Sequence, residues 1–276
     1  MRCFKYIILS ACLLVGSLNI KAQVDTVFWF AAPWVTPDHA GNQPMAFHFS
    51  TFANATTIRL RQPASVYDTS FTVAPNTLFT KYVSHLLDSL ESKPADSVIN
   101  RGFEVSSDFP IVAVYDFQST GNNPETYSLK GQNGMGYEFV TPFQTLWNNK
   151  YLGPGRIQPY QFFSVVATEN NTTIHITPRC DVVGGHPANV TYSVFLPNAG
   201  QVYTCQNITQ ITSTLGSNLA GSVITSDKKI SVTVNDDSVN PSGGGGCYDL
   251  LGDQIVPTDV IGKEYIVNKG FLNAGS

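Results

Sequence analysis

One stretch near the C-terminal end of the chain is rich in oxygen-bearing side chains that can bind metal. It begins with the run NDDS at residues 235–238 and continues through a tetraglycine at 243–246 to Asp253. Carboxylate and amide oxygens of this kind can coordinate Ca²⁺, so Asp236 and Asp237 are the candidate metal ligands. The spacing matches no EF-hand loop, and the competing interpretation is a solvated, flexible loop between two units of the fold.

Three cysteines, Cys180, Cys205 and Cys247, lie beyond residue 22. An odd number leaves at least one thiol free or paired with something outside the chain. Cys180 and Cys205 flank one hairpin region of the sequence and form the predicted disulfide, which export would permit. Metal binding is the alternative, but no second cysteine lies two to four residues from any of the three, as zinc sites usually require.

Residue types that could perform catalysis do not fall into a catalytic pattern. The sequence contains no G-x-S-x-G nucleophile elbow and no H-E-x-x-H motif, and its tetraglycine lacks the strand-to-helix context of a phosphate loop. The five histidines are scattered, and His175 takes a strand position equivalent to that of Arg59, which indicates a surface residue. Acidic residues fall mostly in turns, which disfavours the paired carboxylates of a glycosidase. We therefore predict no catalytic residue and no cofactor.

The N-terminus predicts export. A short basic start precedes an apolar run at residues 6–18, and Ala22 supplies the small residue expected before a cleavage site. This pattern indicates a secretory signal peptide at residues 1–22, because the apolar run is shorter than the roughly 20 residues that cross a membrane. The alternative is a bacterial lipobox, LSAC, that would attach a lipid to Cys12. Since no later segment is apolar enough to span a membrane, the predicted location is extracellular or at the outer cell surface.

Composition favours strands over helices and argues against one class of partner. Charged residues make up 13 % of the chain and aromatic residues 12 %, with 22 glycines and 16 prolines. Few charges together with many aromatic and turn-forming residues are typical of β-proteins. The formal net charge is −4. Because phosphate backbones are bound by basic surfaces, we do not expect nucleic acid as a partner.

An internal repeat organises the sequence. Residues 54–60 (NATTIRL) recur as residues 170–176 (NNTTIHI). Residues 107–111 (SDFPI) recur as residues 226–230 (SDKKI), and each copy precedes a β-branched, apolar run. Because the motifs return in the same order at nearly the same separation, we predict structural units of roughly 115 residues.

Three similar motifs mark where these units begin. The motifs are FWFAAP, YEFVTP and DQIVP, which end at Pro33, Pro142 and Pro257. A third unit that has only started would leave its strands without their usual partners. The predicted divisions are unit 1 at residues 23–134, unit 2 at residues 135–251 and the start of a truncated third unit at residues 252–276.

The local pattern within each unit has the period of a half-buried strand. Residues 57–61 (TIRLR) alternate between polar and apolar side chains, and residues 173–177 (TIHIT) do the same. Short strands separated by frequent turns predict an all-β fold of tandem antiparallel β-sandwich-like units, with a β-propeller-like arrangement as the alternative. Residues 80–92 differ because their apolar residues have helical spacing. For them we expect a strand to about Val83 and then at most a short helix.

The repeated motifs resemble those of a known family. Four segments carry the likeness, NNTTIHITP, FLPNAGQVY, ITSDKKISVTV and CYDLLGDQIVPTDVIGKEYIV, in that order from residue 170 to residue 267. They are similar to the IgGFc-binding protein N-terminal domain family, and the likeness covers most of residues 28–276. In bacteria, often in the Bacteroidota, this resemblance implies a part of a large exported or surface protein. The chain departs from the family pattern in two places: Asn148 and Asn149 replace a Gly-Lys pair, and Ile261 stands where Trp is common.

These observations predict a non-catalytic module for binding or adhesion, with an extracellular glycoprotein, a mucin or another surface macromolecule as its partner. One alternative is a set of structural spacer repeats in a large surface or gliding-motility-associated protein. Another is the accessory domain of a carbohydrate-active enzyme. Trp29, Trp34 and Trp147 could stack on sugar rings, although packing in the core or between units is the more frequent fate of tryptophan.

Overall fold

The computed structural model describes residues 23–36, 45–117, 124–208, 217–240, 249–262 and 264. The predicted signal peptide, Cys12, the tetraglycine run and Cys247 lie outside the described residues. Antiparallel strands make up most of the described chain, which confirms the prediction of an all-β fold. Among the helices that the structure describes, none has the length and apolar character needed to cross a membrane.

The first half of the chain forms a seven-stranded sheet. Its order is β4-β3-β7-β2-β5, and β1 and β8 also pair with β7. All of these pairings are antiparallel. The strands are β1 (Asp25–Phe30), β2 (Met45–Ser50), β3 (Thr56–Arg61), β4 (Asp68–Val73), β5 (Leu78–Tyr82), β7 (Phe103–Phe117) and β8 (Glu125–Ser128).

The second half forms a nine-stranded sheet that also includes β6 (Val98–Ile99) from the first half. Its order is β13-β12-β15-β11-β14-β6, and β9, β10 and β16 also pair with β15. The remaining strands are β9 (Met135–Val140), β10 (Asn148–Asn149), β11 (Gln161–Ala167), β12 (Thr172–Thr177), β13 (Tyr192–Leu196), β14 (Val202–Gln206), β15 (Val223–Asn240) and β16 (Asp249–Ile255).

Alternation of polar and apolar residues produces these strands, as β3 shows. Thr56, Ile58 and Leu60 are buried, whereas Thr57 and Arg59 between them are exposed. Successive side chains of a strand point to opposite faces, so this pattern buries one face of the sheet. Burial of each large apolar side chain contributes about 1.5–3 kcal/mol relative to exposure.

One long strand in each sheet serves two sets of neighbours. The N-terminal part of β7 pairs with β1 and β3, and its C-terminal part pairs with β2 and β8. In β15, likewise, residues near Ile224 pair with β12 and β9, whereas residues near Val234 pair with β11 and β16. The long strands therefore join two leaves of each sheet, which fold over the core in a sandwich-like or barrel-like arrangement.

Each sheet encloses a separate core. The first is dominated by aromatic side chains, with Phe47 in edge or tilted contact with Phe30, Phe103 and Tyr115. Such pairs add about 0.5–1.5 kcal/mol each beyond the area that they bury. The second core is mostly aliphatic and contains Ile174 among its fully buried residues. Sheets of seven and nine strands differ from the four-stranded blades of a propeller.

The second sheet repeats the strand order of the first and adds β6 and β10, and the registers of the shared strands correspond. Phe30 pairs with Phe103 in the first sheet, and Val140 pairs with Val223 in the second. The segment predicted to start a third unit contributes to β16, which pairs along β15 as β8 pairs along β7. Residues 252–255 therefore lie within the second sheet, and the predicted boundary at residue 252 falls inside a strand. The unit boundaries themselves remain a prediction.

The segment with helical spacing has the predicted structure. Strand β5 ends at Tyr82, and a 3₁₀ turn (Ser84–Leu86) leads directly into α1 (Leu87–Leu90), a single helical turn. Leu90 is its one buried residue, so there is too little apolar contact to support a longer helix. The expectation of a strand followed by at most a short helix is confirmed.

Buried polar contacts join the two sheets. The Gln254 side-chain amide donates to the Trp29 carbonyl of the first sheet at 2.6 Å, and the Ser231 hydroxyl donates to the same carbonyl at 3.1 Å. The Tyr127 hydroxyl donates to Asn235 Oδ1 at 2.5 Å. Because unpaired polar groups are costly in a protein interior, these reciprocal contacts fix one sheet against the other.

Candidate functional site

The largest run of exposed apolar side chains in the described second half lies in one loop. We name residues 142–160, between β9 and β11, the aromatic loop. Leu146 is 80 % exposed, Trp147 40 %, Tyr151 65 % and Ile157 53 %. Exposed apolar residues scattered singly are ordinary on protein surfaces, whereas several on one segment make that segment the candidate interaction surface of this half.

A buried carboxylate holds both ends of this loop. Asp236 Oδ2 accepts hydrogen bonds from the side-chain amides of Gln144 at 2.7 Å and Gln161 at 2.9 Å. Its Oδ1 accepts a third bond from the Asn149 amide at 2.7 Å. Asp236 is only 2 % exposed. Three amide donors on one carboxylate therefore fix the start, the middle and the end of the loop to β15.

Backbone contacts complete the attachment of the loop. The Asn149 amide also donates to the Asp237 carbonyl at 2.6 Å, and the Lys150 N–H donates to the Ser238 carbonyl at 2.8 Å. The short strand β10 pairs with the end of β15 at Asn148 and Asn149. The loop is consequently tied to the sheet through its main chain as well as through side chains.

Glutamine side chains shape the loop from within. Gln144 Oε1 accepts from the N–H groups of Leu146 and Trp147, both at 2.9 Å. Gln158 Oε1 accepts from the Leu152 N–H at 2.9 Å, and its amide donates to the Gly153 carbonyl at 2.7 Å. These bonds replace the ladder of a strand and keep the exposed apolar side chains in defined positions.

Burial changes the acidity of the carboxylate that anchors the loop. Burial raises the pKa of Asp236 to about 6, although the three amide donors act in the opposite direction. The desolvation of a charged carboxylate disfavours its ionised form, and hydrogen bonds to that form favour it. Asp236 therefore changes charge in a pH range where most surface carboxylates stay ionised.

Asp236 and Asp237 lie side by side in β15, so the interpretation as a solvated loop is wrong for these two residues. Both are buried, at 2 % and 1 % exposure, because polar partners from distant segments replace water. Asp237 Oδ2 accepts from the Thr36 N–H at 2.8 Å and from the Thr36 hydroxyl, and Ser238 Oγ donates to its Oδ1 at 3.1 Å. Ca²⁺ would have to displace such donors, so calcium binding stays a prediction.

The other oxygen-bearing residues of the predicted calcium segment point to different partners. Asn235 bonds to Tyr127, and Asp253 pairs with Lys130 at 2.8 Å. Asp249 begins β16 and is exposed. Among the described residues, no group of three or more His, Cys, Asp or Glu side chains is placed to hold a metal ion.

Cys180 and Cys205 are both buried members of the second core, and both are free thiols in the structure. Burial raises the pKa of each thiol to about 12. A thiol that stays protonated is a weak nucleophile, so neither cysteine is placed to react. The disulfide between them remains a prediction.

The three tryptophans have different surroundings. Trp29 is 8 % exposed and packs in a small cluster with Val166 and Val202, as the core interpretation predicted. Trp34 is half-buried, and Trp147 is exposed on the aromatic loop. Sequence reasoning missed the amides that anchor this loop, because Gln144, Asn149 and Gln161 form no motif. Only the polar run around Asp236 indicated a candidate functional position.

Comparison with known proteins identifies a family for this chain. The model of the family described as IgGFc binding protein matches residues 125–276, which is more than half of the chain and includes the aromatic loop and Asp236. No curated protein and no solved structure matches the chain. The resemblance of the repeated motifs is thereby confirmed, and the chain belongs to the IgGFc binding protein family.

Proposed function

We propose that this protein is an exported, non-catalytic binding module that contacts an extracellular glycoprotein or mucin through its aromatic loop. The observation that carries the proposal is the combination of exposed Trp147 and Tyr151 with a buried anchor beneath them. Aromatic side chains supply much of the energy of protein interfaces. A loop that is already ordered also loses less conformational entropy when it binds.

Family membership supports a binding role. The family description names the binding of IgG Fc by proteins of that family. We carry over to this chain only the general role, contact with an extracellular macromolecule, since folds are shared by modules with different ligands. Export through the predicted signal peptide at residues 1–22 is part of the proposal, with lipid attachment at Cys12 as its alternative.

The proposal is tested with the exported chain and three immobilised probes: a purified mucin, a deglycosylated form of the same mucin, and the Fc fragment of IgG. We expect saturable binding to at least the native mucin. The simultaneous substitutions Trp147→Ala and Tyr151→Ala should weaken this binding at least about tenfold. Failure to bind any of the probes would contradict the proposal.

A structural role is the second candidate, and the joint between the sheets favours it. Strand β6 from the first half pairs with β14 of the second, and Tyr127 and Gln254 bond across the joint. Contacts of this kind make a stiff connection, which suits spacer repeats in a large surface or gliding-motility-associated protein. A chain that binds none of the probes and keeps one fixed shape in small-angle X-ray scattering would support this role.

A further inference from the structure

A cleft of about 640 Å³ lies between the two halves of the chain, away from the aromatic loop. Its walls include Trp34, Asp88 and Arg101 from the first half and Gln206 from the second. The volume falls within the roughly 300–1,000 Å³ of typical small-ligand sites, which often lie at domain junctions. The cleft therefore has the size and place of a binding site.

Arg101 is the side chain of this cleft whose position is already fixed for binding a ligand. Its Nη1 donates to the backbone carbonyls of Glu91 and Lys93, both at 2.8 Å. These two bonds fix the plane of the guanidinium group. Its Nε and Nη2 have no partner among the described residues, and together they form the edge that binds a carboxylate through two parallel hydrogen bonds.

The other cation at the cleft is already neutralised. Lys93 Nζ lies 2.6 Å from Glu91 Oε2 and 6.0 Å from the centre of the Trp34 ring. Because Lys93 is paired with a buried carboxylate, Arg101 provides the positive charge available to a ligand. A single fixed guanidinium selects a ligand with one anionic group.

Neutral parts of the ligand would meet the remaining lining residues. The Asp88 carboxylate and the Gln206 side-chain amide make no hydrogen bond within the described residues. They can accept from and donate to hydroxyl groups, which act both as donors and as acceptors. The half-buried Trp34 ring contacts Phe162 and the Lys93 ammonium, and the rest of its apolar surface can meet the C–H groups of a sugar ring.

We propose that this cleft binds a sugar that carries a carboxylate group, such as a uronic acid. The carboxylate pairs with the free edge of Arg101, the hydroxyls bond to Asp88 and Gln206, and the ring lies against Trp34. A peptide C-terminus could also pair with Arg101, but it lacks the several hydroxyls that Asp88 and Gln206 can bind. The site is independent of the aromatic loop and of its proposed partner.

The test titrates the whole exported chain with each of a matched pair of sugars, methyl β-glucuronide and methyl β-glucoside. Binding is measured by NMR or calorimetry. These sugars differ at the carboxylate. We expect the glucuronide to bind at least about tenfold more tightly than the glucoside, because the glucoside offers no anion to Arg101. Equal binding of the two sugars, or no binding of either, would overturn the proposal.

Variants separate the site from general charge effects. Arg101→Lys keeps the charge but loses the two-donor edge, and it should weaken glucuronide binding about tenfold. Arg59→Lys is the matched control and should leave glucuronide binding unchanged, since the Arg59 edge already bonds to Asp68 outside the cleft.

If Arg101→Lys does not fold, Gln206→Ala replaces it, and an unchanged affinity in the folded variant contradicts the proposal. Binding of acetyl-dialanine in place of the glucuronide would also overturn it and would indicate a peptide site.

Discussion

The side-chain amide of Asn149 lies 2.7 Å from the Asp236 carboxylate and 2.6 Å from the Asp237 carbonyl. One small side chain thus ties the middle of the aromatic loop to the buried end of β15. Four exposed residues of the loop are large and hydrophobic, and water would favour their collapse onto the surface. The polar anchor beneath them explains how they stay exposed.

Removal of this amide should loosen the loop. In Asn149→Ala, Asp236 Oδ1 and the Asp237 carbonyl lose a donor within the protein, and we expect the free energy of unfolding to fall by about 1–3 kcal/mol. Hydrogen exchange should accelerate at the Lys150 N–H, which now donates to the Ser238 carbonyl at 2.8 Å. The measurement is chemical denaturation together with exchange read by mass spectrometry.

The matched control for this substitution is Asn54→Ala, since Asn54 is exposed at the opposite half of the chain. Surface changes of this kind usually alter the free energy of unfolding by less than about 0.5 kcal/mol. Equal exchange rates in the loop of the wild type and of Asn149→Ala would show that Asp236 does not anchor it through Asn149.

Asp236 should make stability depend on pH in a defined direction. Its folded-state pKa of about 6 lies above the ordinary value of 3.8, because burial disfavours the charge. Between these values the unfolded chain releases a proton that the folded chain keeps, so the stabilisation present below pH 3.8 is lost as pH rises through about 6. Relative to Asp236→Asn, the wild type should lose no more than about 3 kcal/mol from pH 4 to pH 7.

A carboxylate with the opposite shift provides the control for this titration. The hydrogen bond from Arg59 lowers the pKa of Asp68, so the wild type should gain stability relative to Asp68→Asn as pH rises. Denaturation curves of the wild type, Asp236→Asn and Asp68→Asn at several pH values give both differences in the free energy of unfolding. A difference between wild type and Asp236→Asn that stays flat or grows with pH would contradict the account of Asp236.

Calcium provides a direct test of the metal prediction for Asp236 and Asp237. Binding to the folded state would raise the melting temperature in millimolar Ca²⁺ relative to EDTA. The rise should disappear in Asp236→Asn if this carboxylate is a ligand. A melting temperature that is the same in Ca²⁺ and in EDTA would rule out the site.

The predicted disulfide between Cys180 and Cys205 can be tested by thiol labelling. In the native chain neither thiol should react, because both are buried and the pKa of each is raised to about 12. After unfolding without reductant, the prediction expects both to remain unlabelled, and the closed loop would contribute about 3 kcal/mol of stability. Labelling of both thiols would agree with the free cysteines of the structure and contradict the disulfide.

Local patterns in the sequence were enough to predict the strands. The structure of the candidate site depends instead on contacts between residues that lie far apart in the chain. The alternation around Ile58 identified β3 because a strand side chain needs only its immediate neighbours to choose a face. Asp236 was recognisable as unusual, but its burial depends on amides 75 to 92 residues away in the chain. A local sequence pattern does not reveal such distant partners, so the same residues were also compatible with a solvated loop.

The tryptophans show the same difference between an environment that local sequence predicts and one that depends on distant contacts. Packing in the core or between units was the more frequent expectation for a tryptophan, and the structure buries Trp29 in β1. The environment of Trp147 follows from the anchoring of a loop that has little regular structure of its own. The free edge of Arg101 depends on the approach of the Glu91 and Lys93 carbonyls, which spacing along the chain does not reveal.

The affinity of the protein for native mucin, measured in parallel for two double variants, tests the central claim most directly. The first variant carries Trp147→Ala and Tyr151→Ala on the aromatic loop. The second carries Tyr82→Ala and Phe195→Ala, which remove aromatic side chains of similar exposure elsewhere. We predict a dissociation constant at least about tenfold higher for the first variant and unchanged for the second. Equal dissociation constants for the first variant and the wild type would contradict the claim that the aromatic loop is the binding surface.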